Sequence, residues 1–351
     1  MNIRELKTKS DNKTHSKKRN KLNLGKNFPI LTSILSGMVI MSLLLNLASK
    51  YPVISNNDTN NNPIDSAPTT EPQNAQNIET VAPVKKPELT FGGRTVLPTY
   101  RFIALYGNPE FPKLGSLGEQ PLAESIQRAK DISAQYQSLS AETVIPTFEI
   151  ITTVASAGLT ENNDYSQEIS IDKIKPYIDS AKEQGMYVVL DLQPGRSTFL
   201  EQAKLYESLL IDTNVGLALD PEWRLQSTSA RHLKGIGSVT AEEINLTADW
   251  LANLVRENDL PKKLFIVHQF KNSMITNRET LKTDYPELGY VIHMDGHSAL
   301  QQKVDTWNTI RVNIPDNIYM GWKNFFDEDR PTPTPEQTMS QAPQPYFVSY
   351  Q

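Results

Sequence analysis

The sequence predicts a (β/α)₈ TIM barrel preceded by a single transmembrane helix and a disordered linker. Three observations predict this arrangement: a charge-free apolar stretch near the N-terminus, an Asn- and Pro-rich segment after it, and eight short apolar runs separated by helical patterns. The 351 residues are enough for one large domain with a sizeable core. We assign residues 1–28 to a basic cytoplasmic tail, 29–48 to the transmembrane helix, 49–98 to the linker and 99–351 to the barrel.

Charge is distributed unevenly along the chain. Residues 1–27 contain nine basic and two acidic residues, a net charge of +7, so the rest of the chain carries −12 within the total of −5. An acidic body is a poor candidate for binding nucleic acid. The sequence has no cysteine, which excludes a disulfide framework, a thiolate metal site and a cysteine nucleophile.

The predicted membrane segment, residues 29–48, lies in a stretch without charge between Lys26 and Lys50. About 20 apolar residues rising 1.5 Å each span the roughly 30 Å hydrocarbon core of a bilayer. Because the basic flank precedes this segment, the positive-inside rule places the tail in the cytoplasm and the barrel outside it. The alternative is a cleaved signal peptide with a long basic region, which would release the barrel as a secreted protein.

The segment after the membrane span has a composition typical of disorder. Residues 51–90 contain seven Asn and six Pro, and neither Phe nor Trp. Such a segment cannot bury enough apolar surface to offset the entropy lost on ordering. We therefore expect a flexible tether.

Short apolar runs recur through the body of the chain. Runs that are apolar throughout are typical of strands buried on both faces of a parallel sheet. The eight runs are Arg101–Gly107, Val144–Ile151, Met186–Leu192, Val215–Asp220, Lys263–Gln269, Gly289–Met294, Asn317–Trp322 and Tyr346–Tyr350.

Helical patterns separate the runs. The best defined begins with a Thr240-x-x-Glu243 capping box. Residues 277–283 and 334–341 give the weakest patterns, at the fifth and seventh connections. An open doubly wound sheet is the main alternative fold, but no glycine-rich G-x-G-x-x-G turn follows the first strand. The clear helical patterns are Leu122–Leu139, Ile171–Gln184, Thr198–Ile211, Thr240–Asn258 and Ala299–Thr309.

Polar and aromatic side chains recur at the ends of the predicted strands. In a (β/α)₈ barrel these carboxyl-terminal ends meet at one face, where active sites lie. We predict catalytic roles for Glu222, Asp220 and Asp295. The predicted substrate-binding residues are Tyr106, Glu149, Asp191, Trp223, His268, Gln269, His293 and Trp322.

The most informative segment is VGLALDPEW, at the fourth strand. On an extended backbone Asp220 and Glu222 would face the same side, roughly 6.6 Å apart. Two carboxylates in one low-dielectric pocket do not both ionise easily, so the pair predicts a general acid beside an ionised partner. Glycoside hydrolysis requires this combination.

This segment resembles the fourth-strand signature of family 18 glycoside hydrolases, the chitinase-like enzymes, at Gly216, Asp220, Glu222 and Trp223. The resemblance covers about nine residues and the strand count. It implies that Glu222 protonates the glycosidic oxygen and that Asp220 orients the substrate. The sequence departs from the family where Val215 and Ala218 replace two aspartates and where Met294 replaces a tyrosine before Asp295, so a related family of barrel hydrolases fits better.

A classical two-carboxylate scheme needs a partner across the barrel. Asp295 is the first candidate because His293 and His297 flank it, and Asp191 and Glu149 are the others. The sequence therefore predicts an enzyme without a cofactor or metal that acts on a glycan or cell-wall polymer, with the oligomeric state left open.

Two alternatives remain open at this point. His268, His293 and His297 could instead bind a metal ion that activates water. The barrel could also be a non-catalytic module that binds glycan or a partner protein.

Overall fold

The computed structural model of the chain describes residues 86–226 and 235–351. Eight parallel strands form a closed barrel, because the first strand pairs with both the second and the last. This confirms the predicted barrel. The strands are β1 (Tyr100–Gly107), β2 (Thr143–Ala155), β3 (Tyr187–Leu192), β4 (Val215–Leu219), β5 (Lys263–His268), β6 (Leu288–Met294), β7 (Tyr319–Asn324) and β8 (Phe347–Tyr350).

Helices connect most of these strands. Thr240 caps the longest helix by accepting a hydrogen bond from Glu243 N, which is half of the predicted capping box. The Glu243 side chain instead accepts hydrogen bonds from Phe199 N and Arg224 Nε. The predicted helix over 198–211 is divided in two at Tyr206, and the fifth connection contains 3₁₀ turns in place of a helix over 277–283. The helices are α1 (Leu122–Gln137), α2 (Ile171–Glu183), α3 (Phe199–Leu205), α4 (Glu207–Leu210), α5 (Ala241–Glu257), α6 (Leu300–Ile310) and α7 (Pro335–Met339).

The amino-terminal end of the barrel is closed by the chain that precedes β1. Leu89, Val96 and Leu97 are almost fully buried and pack in one cluster with inward-facing strand residues. Gly289 in β6 makes room for this segment, since a Cβ there would lie 2.9 Å from Val96 Cγ2. The sequence placed residues 86–98 in the linker, whereas their apolar side chains belong to the barrel core.

Within the part of the chain that the structure describes, no helix is both long and apolar enough to cross a bilayer. The predicted tail and membrane segment, together with the linker up to residue 85, lie outside the described residues.

The segment below the barrel should contribute measurably to stability. We expect Leu97→Ala to lower the free energy of unfolding by about 2–5 kcal/mol, because it removes a buried side chain and leaves a cavity. Leu246→Ala makes the same change on α5 at a side chain that is 52% exposed, and should cost less than about 0.5 kcal/mol. Chemical denaturation followed by tryptophan fluorescence measures both. Equal effects would contradict the packing role of Leu97.

Candidate active site

Seven strands each contribute one side chain to a polar layer at the carboxyl-terminal end of the barrel interior, and the residue directly after β4 contributes the eighth. Hydrogen bonds and close contacts join these side chains across the barrel. All eight are nearly inaccessible to solvent. This polar layer consists of Tyr106, Glu149, Asp191, Asp220, His268, His293, Lys323 and Ser349.

His268 lies at the centre of the polar layer. Its Nε2 is 3.0 Å from Glu149 Oε1, and its Nδ1 is 3.0 Å from Asp295 Oδ2, just beyond β6. Asp191 Oδ1 is 3.9 Å from Nε2. Burial alone would lower the pKa of His268, but the charges and hydrogen bonds of these carboxylates raise it well above the ordinary value. His268 is therefore a charged imidazolium that donates to a carboxylate on each side.

Tyr106 and Lys323 contact each other within the polar layer. The Tyr106 hydroxyl donates to Asp191 Oδ2 at 2.8 Å, and Lys323 Nζ lies 3.3 Å from the centroid of the Tyr106 ring. Burial raises the pKa of Asp191 to about 6, although the charge of His268 opposes the shift. Asp191 thus keeps a proton at a pH where an exposed aspartate has lost it.

Asp220 and Glu222 differ from the predicted arrangement in one respect. Strand β4 ends at Leu219, and Pro221–Trp223 form a 3₁₀ turn, so the two acids do not lie on one extended backbone. Asp220 is buried and accepts a hydrogen bond from Glu222 N at 3.4 Å, while Glu222 is partly exposed. Because proline fixes φ near the helical value, it favours the turn over continued strand.

Both carboxyls have raised pKa values. Burial, and then the charge of Glu222, raises the pKa of Asp220. Burial and the charge of Asp295 raise the pKa of Glu222 to about 7. Glu222 is therefore a partly exposed acid that holds its proton near neutral pH and lies beside other carboxyls.

The histidines considered as metal ligands do not form one group. Ligand atoms of Glu149, His268 and His293 lie within 4.8 Å of one another, as do those of Asp220, His268 and Asp295. His293 Nε2 is bonded to Ser349 Oγ at 2.8 Å, and burial lowers the pKa of His293 well below the ordinary value. His297 lies outside both groups, half-buried, with its ring beside Phe325.

Two predicted binding residues point away from the polar layer. Trp322 is fully buried outside the strand wall, where its ring centroid is 5.5 Å from that of Trp307. The Gln269 side chain contacts Arg278 and the Lys271 carbonyl. Both corrections have one cause: alternate residues of a strand face opposite sides, so the neighbour of an inward residue faces the helices.

Trp223 lies in the 3₁₀ turn and is partly exposed beside Glu222.

The sequence interpretation missed Lys323 and Ser349. Lys323 directly follows the predicted seventh run, and Ser349 lies within the eighth, but a run that is apolar throughout does not show which of its residues face inward.

Three buried carboxylate oxygens in and beside the polar layer have no hydrogen-bond partner within the described residues. They are Glu149 Oε2, Asp191 Oδ1 and Asp295 Oδ1. Buried polar atoms are normally satisfied, so unpaired acceptors concentrated in one place indicate a site suited to ligand hydroxyl or amide donors.

A scan against protein-family models gave no match for this chain, and a search of curated proteins gave none. The fold and the site define a parallel (β/α)₈-like barrel protein with a carboxylate-rich layer at the carboxyl-terminal ends of its strands. The functional argument therefore depends on the chemistry of this layer.

The layer should make the protein less stable as pH rises. Both Asp191 and His268 have raised pKa values, so the folded state holds more protons than the unfolded chain, and stability falls from about pH 4 upward. We expect Asp191→Asn to reduce the fall in unfolding free energy between pH 4 and 7 by about 1–3 kcal/mol. Denaturant titrations at several pH values measure this.

The matched control is Asp179→Asn on α2, where the carboxylate is 52% exposed and pairs with Lys175. It should leave the pH dependence unchanged. A wild-type stability that increases from pH 4 to 7 would contradict the assignment.

Proposed function

We propose that the protein is a membrane-anchored glycoside hydrolase-like enzyme whose extracytoplasmic barrel acts on cell-envelope or extracellular glycan. The observation that carries the proposal is Glu222, a partly exposed acid whose pKa is raised to about 7 by burial and by the charge of Asp295. An acid that is protonated near neutral pH and close to a second carboxylate is what glycosidic bond cleavage requires.

Glu222 is proposed as the general acid. It lies at the rim of the polar layer, in the turn after β4, so a sugar oxygen can reach it without entering the buried interior. Protonation of the leaving oxygen by a positioned acid typically contributes 10²- to 10⁴-fold to the rate, by general estimates.

Asp295 is proposed as the partner carboxylate, and Asp220 as the orienting one. His268 holds Asp295 with a charge-assisted hydrogen bond, which leaves the buried Oδ1 of Asp295 free to interact with the substrate. Asp220 is more deeply buried, and its contact with Glu222 N positions the turn that carries the acid. Ligand atoms of Asp220 and Asp295 lie within 4.8 Å of each other, so the orienting and partner carboxyls occupy the same part of the site.

Three other residues of the layer, together with Trp223, are proposed to bind the sugar. Tyr106, Glu149 and Asp191 face the interior from the first three strands, and two of them carry unpaired carboxylate oxygens that can accept hydrogen bonds from hydroxyls. Trp223, beside the acid, supplies an aromatic surface for a sugar ring.

A metal-dependent hydrolase is the second candidate, favoured by the two groups of convergent ligand atoms. The arrangement of His268 argues against it. Both ring nitrogens of His268 lie 3.0 Å from carboxylate oxygens, so a metal ion could bind either nitrogen only by displacing one of these contacts. Activity that is lost on dialysis against a chelator and restored by a divalent metal would favour this second candidate.

Glu222→Gln tests the proposed acid. We expect glycan cleavage by the full-length protein to fall at least 100-fold, because the amide cannot donate the proton, while glycan binding is retained. Release of reducing ends from a panel of cell-envelope and extracellular glycans measures the first quantity, and co-sedimentation with insoluble glycan measures the second.

Glu257→Gln, the same change at an exposed position near the end of α5, is the control and should retain full activity. Wild-type activity should also decline as pH rises above about 7, as Glu222 loses its proton. Binding without cleavage by the wild type would support the non-catalytic alternative, and full activity of Glu222→Gln would remove Glu222 from the role of acid.

The membrane anchor is tested by introducing charge into its centre. We expect Val39→Arg combined with Ile40→Arg to move the protein out of the carbonate-resistant membrane fraction, since each central Arg costs about 2.5–3.5 kcal/mol on insertion. Ile54→Arg combined with Ile64→Arg, in the tether, should leave the protein in that fraction. Recovery of the wild type in the medium as a shortened chain would instead show that the segment is a cleaved signal peptide.

A further inference from the structure

Lys323 lies inside the barrel at the level of the proposed active site. It is 3% exposed, and it pairs in register with Ser349 of β8. Its Nζ lies 3.3 Å from the centroid of the Tyr106 ring and 5.2 Å from that of Phe325.

The side chain of Lys323 differs from the other buried lysines. Lys263 Nζ donates to the carbonyls of Asp212 and Val215, and Lys303 Nζ is paired with Asp329. Across residues 86–226 and 235–351, Lys323 Nζ has neither a hydrogen bond nor a salt bridge, only its ring contacts. A buried ammonium without a hydrogen-bond acceptor is costly, so its retention in the interior needs an explanation.

The charge of Lys323 acts on the proposed acid and on Asp191. Lys323 lowers the pKa of both Asp191 and Glu222, against the larger effect of burial, which raises both. Asp191 accepts from Tyr106, and His268 holds Glu149 and Asp295, each through one oxygen. The second oxygen of each carboxylate is unpaired, and among the described residues none of the three carboxylates forms a salt bridge with Lys323. Lys323 is therefore the cation of the polar layer that has donor hydrogens to offer a ligand.

We propose that Lys323 forms an anion subsite that binds a carboxylate or phosphate group on the sugar next to Glu222. This inference rests on the proposed function and narrows its substrate class to acidic glycans. A bound anion would also offset the charge that Lys323 exerts on Glu222, so that Glu222 keeps its proton when an acidic sugar is bound.

Direct binding of three related sugars tests this subsite without requiring turnover. N-acetylglucosamine is neutral, N-acetylmuramic acid adds a carboxylate, and N-acetylglucosamine 6-phosphate adds a phosphate. We expect the full-length protein to bind at least one acidic sugar about tenfold more tightly than the neutral one, as measured by ligand-observed NMR titration. The acidic sugar that gains affinity identifies the group.

Three variants complete the test. Lys323→Met should remove the preference for the acidic sugar and leave affinity for the neutral sugar unchanged, while Lys323→Arg should keep most of the preference. Lys271→Met, at an exposed lysine on the loop after β5, controls for overall charge and should change neither affinity. Thermal unfolding verifies that each variant is folded, and Lys323→Gln replaces Lys323→Met if the latter is not.

Two results would overturn the subsite. The first is that the wild type binds all three sugars with equal affinity. The second is that Lys323→Met loses affinity for acidic and neutral sugars equally, which would show that Lys323 serves to neutralise the carboxylates. Because the assay measures binding alone, a preference for acidic sugars in a protein that cleaves no glycan would refute the proposed hydrolase and keep the subsite.

Discussion

The carboxylate layer depends on the buried imidazolium of His268. Burying several carboxylates in one place is unfavourable because each loses its hydration and because they repel one another. His268 donates one hydrogen bond to Glu149 and one to Asp295, each at 3.0 Å, from opposite edges of the ring. Loss of one member of a buried ion pair typically costs about 3–5 kcal/mol, so the positions of both acids depend on this one side chain.

Barrel closure explains why these groups meet at all. A closed parallel barrel directs alternate side chains of every strand into one narrow interior, and bulky residues fit only where a neighbouring strand supplies a small one. Gly321 in β7 is such a position, because a Cβ there would collide with the ring of His293. At the other end, Leu89, Val96 and Leu97 close the interior with apolar surface. The polar layer is thus bounded by a packed core on its amino-terminal side.

The sequence allowed the barrel and most of the polar layer to be predicted, for a physical reason. Strands buried on both faces appear as apolar runs, and charged residues at their ends stand out against that background. Burial on both faces also hides the direction of each side chain. When a run is apolar throughout, the sequence does not distinguish the residues that face the barrel interior from those that face the helices. Trp322 was therefore assigned to the site and Lys323 was missed. The geometry of Asp220 and Glu222 was also wrong, because Pro221 ends the strand and starts a turn.

The negative charge of the layer is reduced partly by protons retained on its carboxyls. The same raised pKa values affect both the free energy of unfolding and the capacity to act as a general acid. The polar layer contains three carboxyls, those of Glu149, Asp191 and Asp220, and those of Glu222 and Asp295 lie beside it. The cations of this set are His268 and Lys323. Three of the five have raised pKa values, so retained protons compensate where cations are lacking. Protons held in this way cost folding free energy as the pH rises, yet a carboxyl that holds its proton near neutral pH is a competent general acid. Glu222 is the member of this set that is only partly buried. A ligand at its position can therefore accept the proton that the neighbouring charges and burial keep on Glu222.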